Sequence, residues 1–233
     1  MSNRAKRRPS GAGYACGATA LLAVLCASAA AQEDTLAVQS GSKSITISRG
    51  ESPPIIDGRL NEAVWQQAAL VEDLHQVIPT EYAQPTQHTR VYLFYDDDAL
   101  YIGARMLDTE PEGVKANFLR QGEHYWGDDF FSVIIDSFND KRNGYRFQVN
   151  PNGLRMEALF EDTTRTTWDW NAIWQTAATR DADGWTAEMA IPFKTLSFSP
   201  ESDTWGINFI RDVGRVDERI GWVSRNSTID PST

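Results

Sequence analysis

The richest chemistry in the chain is concentrated in residues 124–137, HYWGDDFFSVIIDS. Trp126 precedes a glycine that interrupts regular structure, and Asp128 and Asp129 follow directly. The apolar run that comes next reads as a fully buried strand, closed by Asp136. A flat aromatic side chain and carboxylates at the mouth of a rigid strand are suited to holding a ligand. The plainer reading of Trp126 is a cover over the edge of a sandwich core.

Sugars fit such a set. Pyranose rings stack their C–H faces on flat aromatic rings, and their hydroxyls need planar hydrogen-bonding groups beside the plate. Of the 8 tryptophans, Trp126, Trp168 and Trp170 lie in polar loop sequence. Trp168 and Trp170 alternate across Asp169, which predicts that they share one face of an extended loop. Trp65, Trp174, Trp185, Trp205 and Trp222 fall in strand or helix patterns and are expected in the core. Asp129, Arg146, Gln148 and Asn150 are the candidate polar partners, although each also reads as an ordinary strand position.

Other chemistries find less support. His75, His88 and His124 stand in unrelated contexts, no serine occupies a nucleophile elbow, and no HExxH or cysteine ligand set exists. A glycoside hydrolase acting on O-glycosyl bonds needs two carboxylates across the scissile bond. Asp128, Asp129, Asp136, Glu157 and Glu161 include the raw material, but spacing does not pair them. Asp96, Asp97 and Asp98 crowd one hairpin turn, and Asp108 ends the following strand. A structural calcium at Asp96, Asp98 and Asp108 would relieve their repulsion; screening by water and salt is the alternative.

Around these residues the chain is organised as an exported single domain. Arg4, Lys6, Arg7 and Arg8, the apolar Ala18–Leu25 and the small residues before Gln32 form the three parts of a secretory signal over residues 1–31. Its apolar run is too short to span a bilayer, which takes about 20 residues. Both cysteines, Cys16 and Cys26, lie within it, so a mature chain without disulfides is expected. Losing those four basic residues reduces 22 Lys and Arg to 18, against 32 acids, a net charge of −14. Such a surface repels nucleic acid and anionic lipid and favours neutral or cationic ligands. Residues 32–52 read as a polar lead-in with a short strand at 44–48, and 53–233 as the domain.

Within 53–233 the pattern predicts a short helix near Ala63, capped by Asn61, with Leu60, Val64, Trp65 and Ala68 on its apolar face. Eight or nine strands at regular spacing follow, with residues 211–219 as an exposed hairpin tip and one helical turn after Pro192. That pattern indicates an all-β antiparallel sandwich, jelly-roll-like.

The segments IIDGRLNEAVW, VYLFYDDDALYIGARMLD, WGDDFFSVIID, YRFQVNPNG, GWTAEMAIPFKTL and WGINFIRD, in this order, resemble the family 9 carbohydrate-binding modules. The resemblance implies a β-sandwich that binds the ends of glycan chains, often with structural calcium. In it Trp126 corresponds to the first stacking tryptophan and Asn150 to the amide at a strand end. Gln148 stands where those modules carry arginine and Ser132 where they carry glutamate. No second stacking tryptophan follows Trp222, a role for which Trp168 and Trp170 are the candidates. With the signal over residues 1–31, this predicts an exported, monomeric binder of poly- or oligosaccharides, not catalytic by itself, that assists glycan breakdown. The pattern also resembles the leading domain of large bacterial outer-membrane proteins, which implies as the alternative an interaction domain with a barrel partner or further C-terminal domain.

Overall fold

The computed structural model describes residues 43–120, 127–162 and 165–224. Twelve strands are present among them: β1 (Ala69–Val71), β2 (His75–Ile78), β3 (Thr89–Tyr95), β4 (Ala99–Leu107), β5 (Phe130–Asp136), β6 (Gly144–Val149), β7 (Arg155–Glu161), β8 (Arg165–Thr167), β9 (Gln175–Asp181), β10 (Gly184–Pro192), β11 (Gly206–Val213) and β12 (Glu218–Gly221). They form a five-stranded sheet, β1-β3-β4-β10-β9, and a seven-stranded sheet, β2-β12-β11-β5-β6-β7-β8. All the ladders are antiparallel, and the two sheets form a sandwich, as the pattern predicts.

The inner faces carry alternate residues: Val91 and Leu93 of β3, Phe131, Val133 and Ile135 of β5, Phe147 and Val149 of β6, Trp185, Ala187 and Met189 of β10, and Phe209 and Val213 of β11. Trp174, Trp185 and Trp222 are buried in this core, and Trp205 packs against it. Three strands escaped the sequence reading. β1, β2 and β8 are three or four residues long, too short for alternation to show. The expected strand at 44–48 is an extended segment instead. It touches β3 through one parallel bridge, Arg49 to Tyr95, and through Gly50 N donating to Tyr95 O at 2.8 Å.

β4 and β10 lack alternation because both of their faces are covered. Outside the five-stranded sheet, Ile56, Leu60, Val64 and Ala68 pack on Trp65, Phe94, Tyr101 and Ala190. The expected helix is a single 3-10 turn, Ala63–Gln66, and Glu62 rather than Asn61 stands at its N-cap, with no side-chain cap bond. Glu188 of β10 fixes the segment instead. Its Oε2 accepts the N–H groups of Asp57, Gly58 and Arg59 at 2.9, 2.8 and 3.2 Å, and its Oε1 accepts the Trp65 indole N–H at 3.0 Å. Gly58 turns here at φ +86°, so close to the β9 backbone that no side chain fits.

Candidate functional site

The outer face of the seven-stranded sheet holds most of the residues singled out above. Paired residues in an antiparallel ladder share a face. His75, Gly221, Ile210, Ser132, Gln148 and Met156 therefore form one row across β2, β12, β11, β5, β6 and β7. A neighbouring row runs Ile78, Arg219, Asp212 and Phe130, and another runs Asn208, Ile134, Arg146 and Ala158.

The middle of this face is a polar floor. Ser132 donates to Gln148 Oε1 at 2.8 Å, and Arg146 Nε donates to Ser132 Oγ at 3.2 Å. The Arg146 guanidinium lies 5.7 Å from the Phe130 ring centroid and 5.9 Å from that of Trp168, within cation–π range of both. Ser132 and Gln148 are buried beneath. Where the resemblance implies an acid and an arginine, this chain places two neutral groups bonded to each other.

Asp128, Asp129 and Asn150 do a different job from the one expected. Asp128 Oδ2 accepts the N–H groups of Asn117 and Phe118 at 2.8 and 3.1 Å, and its Oδ1 accepts Asn117 Nδ2 at 2.8 Å. Asp129 Oδ1 accepts Lys115 N and Gly214 N, both at 3.1 Å. Asn150 Oδ1 accepts Asn152 N and Leu154 N at 3.0 Å, and its Nδ2 donates to Phe118 O at 3.4 Å. Asn152 Nδ2 donates to Ala116 O and Phe118 O at 2.9 and 3.1 Å. Together these side chains clasp the segment Lys115–Phe118 to the sheet. Asp129 and Asn150 are fully buried by this work, so they act as positioning groups. Gly214 allows the β11–β12 turn to pass the clasp, since a Cβ there would stand 2.3 Å from Gly127 O.

Beneath the clasp lies a buried charge cluster that the sequence reading placed on an exposed tip. Arg211 is fully buried, pointing inward between Phe209 and Val213. Its Nη1 donates to His88 O, Thr89 Oγ1 and Leu107 O at 3.0, 3.3 and 2.8 Å, and its Nη2 donates to Asp108 Oδ2 at 3.3 Å. Asp108 also accepts Arg215 Nη1 at 2.7 Å. The arginine thus ties the end of one sheet to the other. Burial pulls its guanidinium down to about 10, leaving it charged at neutral pH. Burial likewise pushes the Asp129 carboxyl above the usual aspartate range, against its two backbone donors and the charge of Arg211. The strict alternation of Phe209, Arg211 and Val213 was the available signal for an inward arginine.

Between clasp and sheet edge is a recess of about 150 Å³, lined by Ile78, Gly127, Asp128, Asp212, Gly214, Glu218 and Arg219. Most of its charges are engaged by the protein itself. Arg219 forks onto both oxygens of Asp212 at 2.8 and 3.0 Å. Glu218 accepts Gln76 Nε2 at 2.6 Å, Thr86 N at 2.9 Å and the Thr86 hydroxyl. The exposed Asp217 adds a further carboxylate, so the lining is acidic overall, with one aliphatic side from Ile78 and Val213.

Trp126 lies outside the described residues, directly before Gly127 of the recess. Trp168 and Trp170 do not share a face. Trp168 sits by Arg146 on the outer side, while Trp170 packs inward, 5.2 Å from Tyr145 and 6.0 Å from Phe147 between ring centroids. The inward side chains of β6 draw it to the core.

The three carboxylates expected at calcium are not brought together either. Asp96 and Asp98 stand at one end of the nine-residue β4 and Asp108 at the other. Asp96 is engaged by Asp98 N, Ala99 N and the Tyr101 hydroxyl, and Asp108 by two arginines, so these residues do not fit one shared ion. Among the described residues no group of three or more His, Cys, Asp and Glu is placed to hold a metal. The other carboxylates are also engaged: Asp136 accepts Lys141 N at 2.7 Å, Glu157 accepts the Trp174 indole at 3.1 Å, and Glu161 pairs with Arg165 at 3.4 Å.

A two-sheet sandwich presenting an aromatic and polar outer face is the architecture of a carbohydrate-binding domain, and the comparisons agree. Residues 56–231 match the family described as carbohydrate family 9 binding domain-like, and the chain belongs to that family. Its fold is similar to a carbohydrate binding module family 9 from Caldicellulosiruptor kristjanssonii, solved with glucose and with cellotriose. Each of these two structures is 19% identical, with a TM-score of 0.54. They are matched over 78% of this chain and over 88% and 86% of their own. No curated protein is a significant match.

Proposed function

We propose that the chain is an exported module that binds neutral oligosaccharides without turning them over, accessory to glycan breakdown. The observation that carries this reading is the outer face itself. Trp168, the Arg146–Ser132–Gln148 floor and the recess beside Gly127 lie on one side of one sheet. Trp126, one residue before Gly127, supplies the stacking plate in this reading, and Trp168 the second. The excess of acids disfavours uronic or sulfated sugars.

Calorimetry with glucose and cellotriose, the sugars held by the similarly folded modules, tests the reading. Trp126→Ala is expected to lose about 1–3 kcal/mol of binding free energy, from stacking and the burial of one indole face. Its melting temperature should stay close to that of the parent. Unchanged affinity would remove Trp126 from the site. Export is tested separately by intact mass: secreted protein should begin near Gln32, and retention of residues 1–31 would refute the cleaved signal.

A further inference from the structure

An aromatic plate that the sequence did not suggest stands at the β2 edge of the same face. Tyr82 is 42% exposed and adopts φ +64°, a conformation that bulky residues rarely hold. Its ring lies flat on His75, with centroids 4.8 Å apart and planes 23° from parallel. The turn that presents it is tied down from both sides of Gln76. Tyr82 N donates to Gln76 O at 2.8 Å, Gln76 N donates to Ala83 O at 2.9 Å, and Thr80 N donates to Gln76 Oε1 at 3.1 Å. Gln76 Nε2 is in turn anchored on the buried Glu218, which lines the recess. His75 is held by Ser224 Oγ at 2.7 Å from its Nε2. Burial, with Lys43 nearby, keeps its imidazole below the usual histidine range and hence uncharged at neutral pH.

Strain retained at an exposed ring, rather than relieved by glycine or asparagine, points to the ring as what the turn serves. His75 begins the row that continues through Gly221 and Ile210 to Ser132 and Gln148. Three strand intervals separate His75 from Ser132, about 14 Å at the usual spacing. One sugar ring does not bridge that distance. A chain of several rings does.

We infer that Tyr82, stacked on His75, is a distal sugar platform, so that the face takes an extended neutral oligosaccharide lying across the strands. This rests on the saccharide-binding reading above and adds chain length and a further contact residue to it.

The test is a ladder of cello-oligosaccharides from glucose to cellohexaose, titrated into the parent, Tyr82→Asn and Tyr82→Phe. Asparagine accepts the left-handed backbone and removes the ring; phenylalanine keeps the ring. In the parent, affinity should rise with chain length. Tyr82→Asn should bind glucose as the parent does and the longest chains about tenfold more weakly, the worth of one stacked ring. Tyr82→Phe should follow the parent throughout. Equal affinities of the parent and Tyr82→Asn along the whole ladder would overturn the platform while leaving the saccharide site intact. Loss of glucose binding in Tyr82→Asn, at an unchanged melting temperature, would overturn its distal placement. No binding of any member by the parent would overturn both readings.

Discussion

Arg211→Ala is expected to cost about 3–5 kcal/mol of stability, because removing one partner of a buried ion cluster leaves the others uncompensated. Asp108 would retain Arg215, but Asp129 would lose the positive charge of Arg211 that favours its ionised form. The change also removes the three hydrogen bonds of Arg211 Nη1 to His88 O, Thr89 Oγ1 and Leu107 O, which link the sheets at this end. For a domain of this size the loss corresponds to a fall in melting temperature of roughly 6–20 °C. Arg211→Met separates charge from volume: it restores most of the bulk and should recover little of the stability. A melting curve within 2 °C of the parent for either variant would show that the cluster is not a stabilising tie. Asp129 holds Lys115 and Gly214 beside the recess, so saccharide affinity should weaken along with stability.

Glu188→Ala is expected to destabilise by about 3 kcal/mol without touching the binding face. Four N–H donors converge on this one carboxylate, and hydrogen bonds to charged groups are individually worth about 1.5–3 kcal/mol. The effect has a defined pH dependence. Burial raises the Glu188 carboxyl above its ordinary value of 4.5, outweighing the donors around it. Its contribution is therefore fully present below pH 4.5 and declines as pH rises through the folded value. The stability gap between parent and Glu188→Ala should be widest at pH 4.5 and below and should narrow above it. A gap that widens with pH would reverse that assignment. Oligosaccharide affinity of the folded variant should match the parent, since Glu188 lies on the opposite sheet.

The sandwich, the family resemblance and the core tryptophans were legible in the residues alone. The sandwich and most of the core tryptophans follow from period-two alternation, a local property of a strand, Trp65 follows from helical spacing, and the resemblance follows from six ordered segments. The same logic located the apolar run that becomes β5 at the middle of the seven-stranded sheet. It misassigned what the polar residues there do. Asp128, Asp129 and Asn150 looked like ligand groups because a carboxylate or amide at a strand end reads alike whether it faces a sugar or a backbone N–H. Only the approach of Lys115–Phe118, Gly214 and Leu154 decided that they clasp the protein itself. Trp168 and Trp170 were separated by the inward pull of Tyr145 and Phe147 on one of them. Asp108 was parted from Asp96 by the length of β4, although the two are only twelve residues apart in the chain. Tyr82 joined the face through the pairing of β2 with β12, a contact between segments more than 130 residues apart. Burial, charge compensation and cross-strand registry are properties of what surrounds a residue, and for these positions the surroundings come from distant parts of the chain.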